Sequence, residues 1–158
     1  MVTTAGSAEK LAACAALGAD VTINYREDDF VQVVGDRTDG GVDVILDNMG
    51  AKYLDRNIDA LATQGRLVII GMQGGTKAEL DINKLLRKRG AVIATNLRGR
   101  PTEEKSAICA SVVEHVWPLV AQGLVQPIVG RTFPLAEAGA AHAYMESGDH
   151  SGKILLTV

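Results

Sequence analysis

Cysteine is almost lacking. Cys14 and Cys109 are the only two, far apart and outside any CxxC pair, which argues against a disulfide framework or a thiolate metal site. Each falls in an apolar helical pattern, so both are expected as reduced, buried thiols. No apolar run approaches the roughly 18 residues of a membrane span. The start, Met1-Val2-Thr3-Thr4-Ala5-Gly6-Ser7, has neither the charged nor the long apolar region of a secretion signal. A cytoplasmic location is the expectation. A basic excess is lacking too. The formal net charge is -3, which disfavours a general nucleic-acid binder. The disorder signature of low hydrophobicity and high net charge is absent, since 47% of residues are apolar and 22% charged. Repeats and low-complexity segments are missing as well.

What is present is a chain of one-domain length, 158 residues, able to bury about 70% of its unfolded surface. Short β-branched runs alternate with helical ones. The pattern predicts strands at 2–4, 21–24, 42–47, 66–70, 91–95, 128–133 and 153–158. Ser7 caps a first helix that Gly18 stops, and the acidic turn Glu27-Asp28-Asp29 opens a second. Further helices are predicted around 53–61, after Asp81, over 102–122 and over 135–146. Pro118 should kink or end the longest of these early. The runs at 42–47, 66–70 and 91–95 are nearly continuous in apolar residues, as in strands buried on both faces. The predicted class is α/β, a Rossmann-type parallel sheet with helices on both faces. The architecture changes after Gly123, and the last strand–helix–strand piece is a candidate for a separate sheet.

A Rossmann sheet should carry GxGxxG, with a pyrophosphate on the helix behind it. That spacing does not occur among the 17 glycines. Gly148-Asp149-His150-Ser151-Gly152-Lys153 has the wrong spacing for a P-loop and lacks its hydroxyl residue after the lysine. More informative is Thr4-Ala5-Gly6-Ser7-Ala8-Glu9-Lys10, where a strand gives way to a helix N-terminus. Exposed N–H groups and the helix dipole favour an anion there. Ser7 adds a hydroxyl and Lys10 a cation. NAD sites usually place an acid at this strand end to hold the ribose hydroxyls. Gly6-Ser7 puts none there, which leaves room for a 2′-phosphate and suggests NADPH over NADH. A plain N-cap followed by a solvated lysine accounts for the same residues. Tyr25 follows the next strand at the edge where ligands bind, and either packs on a nucleotide or is an amphipathic surface tyrosine. Asp47-Asn48-Met49-Gly50 and Ile70-Gly71-Met72-Gln73 also follow strands, as ligand loops or as ordinary turns. His115, His142 and His150 lie far apart and form no HExxH, so no metal site is expected. Arg87-Lys88-Arg89 reads as a helix C-terminal cluster that offsets the dipole. Arg98 and Arg100 flank Gly99 after a strand, where an anion contact is open.

The residues then resemble a known family. Thr4–Lys10, Leu17-Gly18-Ala19-Asp20, Asn24-Tyr25-Arg26, the Gly41–Asp47 run, Gly65-Arg66-Leu67-Val68, 84–90, Ala141-His142-Ala143-Tyr144-Met145-Glu146 and Gly152-Lys153-Ile154-Leu155-Leu156 are similar to zinc-free quinone oxidoreductases of the medium-chain dehydrogenase/reductase superfamily. The similarity to the p53-inducible type is especially close. The resemblance implies NADP(H) as cofactor, with Gly6, Ser7, Lys10 and Tyr25 on the 2′-phosphate. It implies Asn48 on the cofactor, and Ile70, Gly71, Met72 and Gln73 along the nicotinamide. Thr95, Asn96 and Leu97 would complete that pocket, and Lys153 would face the cofactor as well. Some relatives carry an arginine where this chain has Gly148, so that contact is not carried over.

The same resemblance implies hydride transfer from NADPH to a quinone or activated alkene, with no catalytic residue or metal ligand supplied by this chain. It aligns residues 1–125 with a partial NADP-binding domain that lacks its first strand and glycine-rich turn. Residues 126–158 would be a return segment packing on a catalytic domain. These residues alone are then expected to be inactive. In the strand order 3-2-1-4-5-6 the missing strand is central, which leaves two sheet pieces about 10 Å apart. Either 153–158 or a second chain is expected to fill the space. Homodimers through strand 91–95 are implied, and no nucleic acid or membrane partner. The alternative is a non-catalytic dimerisation or nucleotide-binding module. A methyltransferase-like site is disfavoured, since it also wants an acid where Gly6-Ser7 stand.

Overall fold

The computed structural model describes residues 1–158, and the chain forms two compact units, Met1–Gly99 and Arg100–Val158. The division falls at Gly99. The helices that follow Gly99 therefore belong with the C-terminal strands.

The first unit runs β1 (Val2–Ala5), α1 (Ala8–Ala16), β2 (Val21–Asn24), α2 (Phe30–Arg37), β3 (Val42–Asp47), a 3-10 turn (Gly50–Tyr53), α3 (Leu54–Ala60), β4 (Leu61–Ile69), α4 (Ile82–Lys88) and β5 (Ala91–Ala94). Its main helices start on side-chain caps. Ser7 Oγ accepts from Lys10 N at 3.3 Å, Asp29 from Val31 N at 3.0 Å, and Asp81 from Asn83 N at 2.9 Å. Each such cap is worth about 1 kcal/mol. Buried Ile23, Phe30, Val34 and Ala60 form the core, with Val2, Val42, Ile45 and Tyr53 packed against it. Residues of β1, β2, β3, α2 and α3 thus share one apolar cluster. Two lysines of α4 bind it to α3. Lys84 Nζ donates to Asp55 and Asp59 at 2.9 and 2.8 Å, and these carboxylates hold its ammonium above the ordinary lysine range. Lys88 donates to the Asp59 and Leu61 carbonyls.

All strand pairing is parallel, in the orders β1-β2 and β3-β4-β5. No ladder joins β1 to β3, so the sheet is divided where the sequence places the division. The proposed filler is not residues 153–158. They form β7 (Lys153–Thr157), which pairs with β6 in a sheet of its own. The expectation of strands covered on both faces also needs correction. With a period of two, Ile45 faces the α2–α3 core while Val44 and Leu46 are 51% and 68% exposed. All four residues of β5 are exposed. These strands are apolar on both sides, yet β3 is covered on one side only and β5 on neither.

The second unit contains α5 (Thr102–His115), α6 (Trp117–Ala121), β6 (Val129–Pro134), a 3-10 turn (Leu135–Glu137), α7 (Ala138–Ser147) and β7. The single helix expected over 102–122 breaks at Val116. Pro118 stands in the first turn of α6, where a missing N–H costs least. Strand β6 lies so close to the segment leading into β7 that a Cβ on Gly130 would overlap the Ser151 carbonyl oxygen. Phe133 and Ala141 are buried, and the Arg131 guanidinium lies over the Phe133 and Tyr144 rings at 4.7 and 4.9 Å. Cysteine burial differs from expectation. Cys109 is exposed on α5, which buries none of its residues, and Cys14 is half-buried.

Candidate functional site

The first cluster forms where β1 and β2 end. Their register pairs Ala5 with Asn24, so Gly6-Ser7 and Tyr25-Arg26 emerge side by side at the C-terminal edge. Parallel α/β sheets bind ligands at this edge. Tyr25 leans over the β1–α1 turn. A Cβ on Gly6 would lie 2.5 Å from Tyr25 Oη, 2.8 Å from its Cζ and 3.1 Å from Arg26 Nε. Glycine leaves this space to the Tyr25 and Arg26 side chains, which a Cβ would displace. Ser7 caps α1 through the Lys10 N–H, which sets Lys10 one turn into the helix. Gly6, Ser7, Lys10 and Tyr25 are therefore brought together, and no carboxylate stands at the end of β1. Arg26 joins them. Its neighbours Tyr25 and Asn24 drew attention in the sequence, but a charged residue after a strand reads as ordinary surface.

The second cluster lies at the ends of β3, β4 and β5. Asp47 is buried, and its carboxylate accepts from Met49 N at 2.9 Å and Gly50 N at 2.8 Å. It pins the loop that carries Asn48. This loop is stitched to the one after β4. Gln73 N donates to the Asn48 carbonyl at 3.2 Å and Gly74 N to the Met49 carbonyl at 2.7 Å. Gly71 sits against Asn48, where a Cβ would meet the Asn48 carbonyl oxygen at 2.7 Å. Asn48, Gly71, Met72 and Gln73 thus form one double loop, with Ile70 and Met72 50% and 66% exposed on it. Thr95 N donates to the Ile69 carbonyl at 3.3 Å, which continues the ladder one residue past β5 and sets Thr95 beside Ile70. Asn96 Oδ1 accepts from Gly99 N at 3.3 Å, and Leu97 is exposed. Lys153 opens β7 in the other unit, opposite Val129.

Two further candidates are engaged elsewhere. Arg100 pairs with Glu104 at 2.8 Å, one turn along α5. His115 Nδ1 lies 2.9 Å from the Ser111 carbonyl oxygen.

A parallel α/β unit with its loops gathered at strand C-termini has the fold of a Rossmann-type dehydrogenase domain. The chain belongs to the zinc-binding dehydrogenase family, which it matches over residues 17–156. It is 31% identical to 2-haloacrylate reductase from a Burkholderia species, covering 99% of this chain and 47% of the relative. It is 30% identical to quinone oxidoreductase 1 of Escherichia coli (strain K12), covering 99% and 48%. The quinone oxidoreductase of Thermus thermophilus, solved also in complex with NADPH, matches with a TM-score of 0.82 at 30% identity, covering 99% of this chain and 49% of that one. The chain spans just under half the length of the curated relatives it matches.

Zinc, implied by the family's description, needs three or four Cys, His or carboxylate ligands around one point. No three such side chains come together in this chain. Its own residues do not fit a zinc site, and no step below involves one.

Proposed function

We propose that this chain holds NADP(H) for a quinone-oxidoreductase-type reduction, in which hydride passes to a quinone or an activated alkene. One observation carries the reading. The β1–β2 edge gathers a glycine turn, a helix N-terminus, Ser7, Lys10 and Tyr25, with no acid at the strand end. The likeness to quinone oxidoreductases, one of them solved with NADPH, supports it. When bound, NADPH supplies the hydride, and the protein's part is binding and orientation. Ser7 and the α1 N–H groups donate to a phosphate, Lys10 adds a positive charge, and Tyr25 closes over it. At the second cluster, Asn48, Ile70, Gly71, Met72, Gln73, Thr95, Asn96 and Leu97 line the nicotinamide side.

Calorimetric titration of the chain tests this reading. NADPH is expected to bind tighter than NADH, and Lys10→Ala to weaken NADPH about tenfold, the value of one charge-assisted contact, with little change for NADH. Failure to bind either nucleotide, or equal losses for both, would refute the assignment.

A second reading, a dimerisation module without catalysis, is favoured by β5. This strand is an edge of its sheet, pairs only with β4, and exposes Val92 and Ile93. Such an edge suits extension into a second copy. Sedimentation equilibrium should then show a dimer that Val92→Lys dissociates. A monomer at every concentration would end this reading.

A further inference from the structure

We propose that Arg26 is a second cation of the 2′-phosphate subsite and sets selectivity for NADP(H) over NAD(H); this rests on the cofactor reading above. Tyr25 and Arg26 are consecutive, and on a continuing strand their side chains would point to opposite faces. Here both lie over Gly6, with Tyr25 Oη and Arg26 Nε at 2.5 and 3.1 Å from a Cβ placed there. Asn24 is the cause. Its Oδ1 accepts from Arg26 N at 3.2 Å, and its carbonyl accepts from Glu27 N and Asp28 N at 3.0 and 2.8 Å. This side-chain turn ends β2 and aims both following residues back at the β1–α1 turn.

The guanidinium is also uncommitted. Arg56 pairs with Asp29 and Arg100 with Glu104; Arg26, like Arg37, Arg66, Arg87, Arg89 and Arg98, pairs with no carboxylate, and of these Arg26 is the one that lies over Gly6. An exposed arginine laid on a glycine turn, with its donors free, is poised for an anion arriving at that turn. Its planar fork matches two oxygens of a phosphomonoester at once, whereas Lys10 acts as a point charge. The 2′-hydroxyl of NADH offers no charge to either. Arg26 should therefore act on the phosphate increment alone, which separates it from residues that hold the adenine or the pyrophosphate.

The test measures binding of NADPH, NADH and 2′,5′-ADP to the full chain, to Arg26→Gln and to Arg26→Lys. Arg26→Gln is expected to weaken NADPH and 2′,5′-ADP about tenfold, to leave NADH within about twofold, and to keep the melting temperature. Arg26→Lys should recover part of the loss. Equal weakening of NADPH and NADH would overturn the proposal by placing the guanidinium on the adenine. Unchanged NADPH binding would overturn it outright while leaving the cofactor reading intact. If the unaltered chain binds none of the three, the cofactor reading fails and Arg26's role falls with it.

Discussion

Gly41→Ala is expected to destabilise the first unit by about 3–4 kcal/mol, while Gly40→Ala beside it costs about 1 kcal/mol. Both glycines have positive φ, +115° and +87°, so an L side chain is strained at either. They differ in their surroundings. A Cβ on Gly40 meets nothing within 4 Å, whereas on Gly41 it would lie 2.6 Å from Ala62 N and the Leu61 carbonyl carbon and 2.7 Å from the Ala60 carbonyl oxygen. These are backbone atoms at the α3–β4 junction, next to Leu61, which is fully buried. The turn itself is also fixed. Thr38 Oγ1 donates to the Val34 carbonyl at 2.7 Å and accepts from Gly41 N at 3.1 Å. With neither side free to yield, the overlap adds to the strain. Domains of this size are stable by about 5–15 kcal/mol, so the urea midpoint of Gly41→Ala should fall sharply and that of Gly40→Ala slightly. Equal shifts in the two variants would show that φ alone decides, and that the close approach to β4 is not a constraint.

How much of this was legible in the sequence depended on how local the cause is. Ser7, Asp29 and Asp81 each bond an N–H two or three residues on, so the starts of α1, α2 and α4 could be read directly. The first half of β4 could not. The strand was expected only from Arg66, yet it runs from Leu61, with Gln64 at φ +66° and a register shift between Val42 and Val44. That irregularity is held by the neighbouring strand, which no local pattern reports. Val44, Leu46 and β5 were misjudged for a related reason. Apolar residues on both faces state what a strand can bury, and coverage depends on other chain segments. The division between β1 and β3 was visible because strand order is a topological rule, and the separate β6–β7 sheet because the architecture changes after Gly123. In the candidate site, Tyr25 was found by its position after a strand. Arg26 was missed because its aim depends on the Asn24 turn.

Gly6→Ala should do to the site what Gly41→Ala does to the fold, and leave the fold alone. The new methyl group would collide with Tyr25 Oη and Cζ and crowd Arg26 Nε, all side-chain atoms of exposed residues. Tyr25 is 43% exposed and can swing outward at small cost, unlike the backbone around Gly41. No positive φ is required at Gly6, so the turn carries no added strain. The melting temperature is therefore expected to change little. Binding should change greatly, because one substitution displaces both groups that reach the turn from β2. Losing two polar contacts to a charged phosphate removes about 3 kcal/mol, or roughly a hundredfold in NADPH affinity, with a much smaller loss for NADH. Lys10→Ala removes a single contact and should fall short of that. A Gly6→Ala variant that unfolds would show that Tyr25 and Arg26 belong to the core of the unit. One that folds and keeps its NADPH affinity would place the phosphate away from the β1–α1 turn, and would remove the common basis of Lys10, Tyr25 and Arg26 as a subsite.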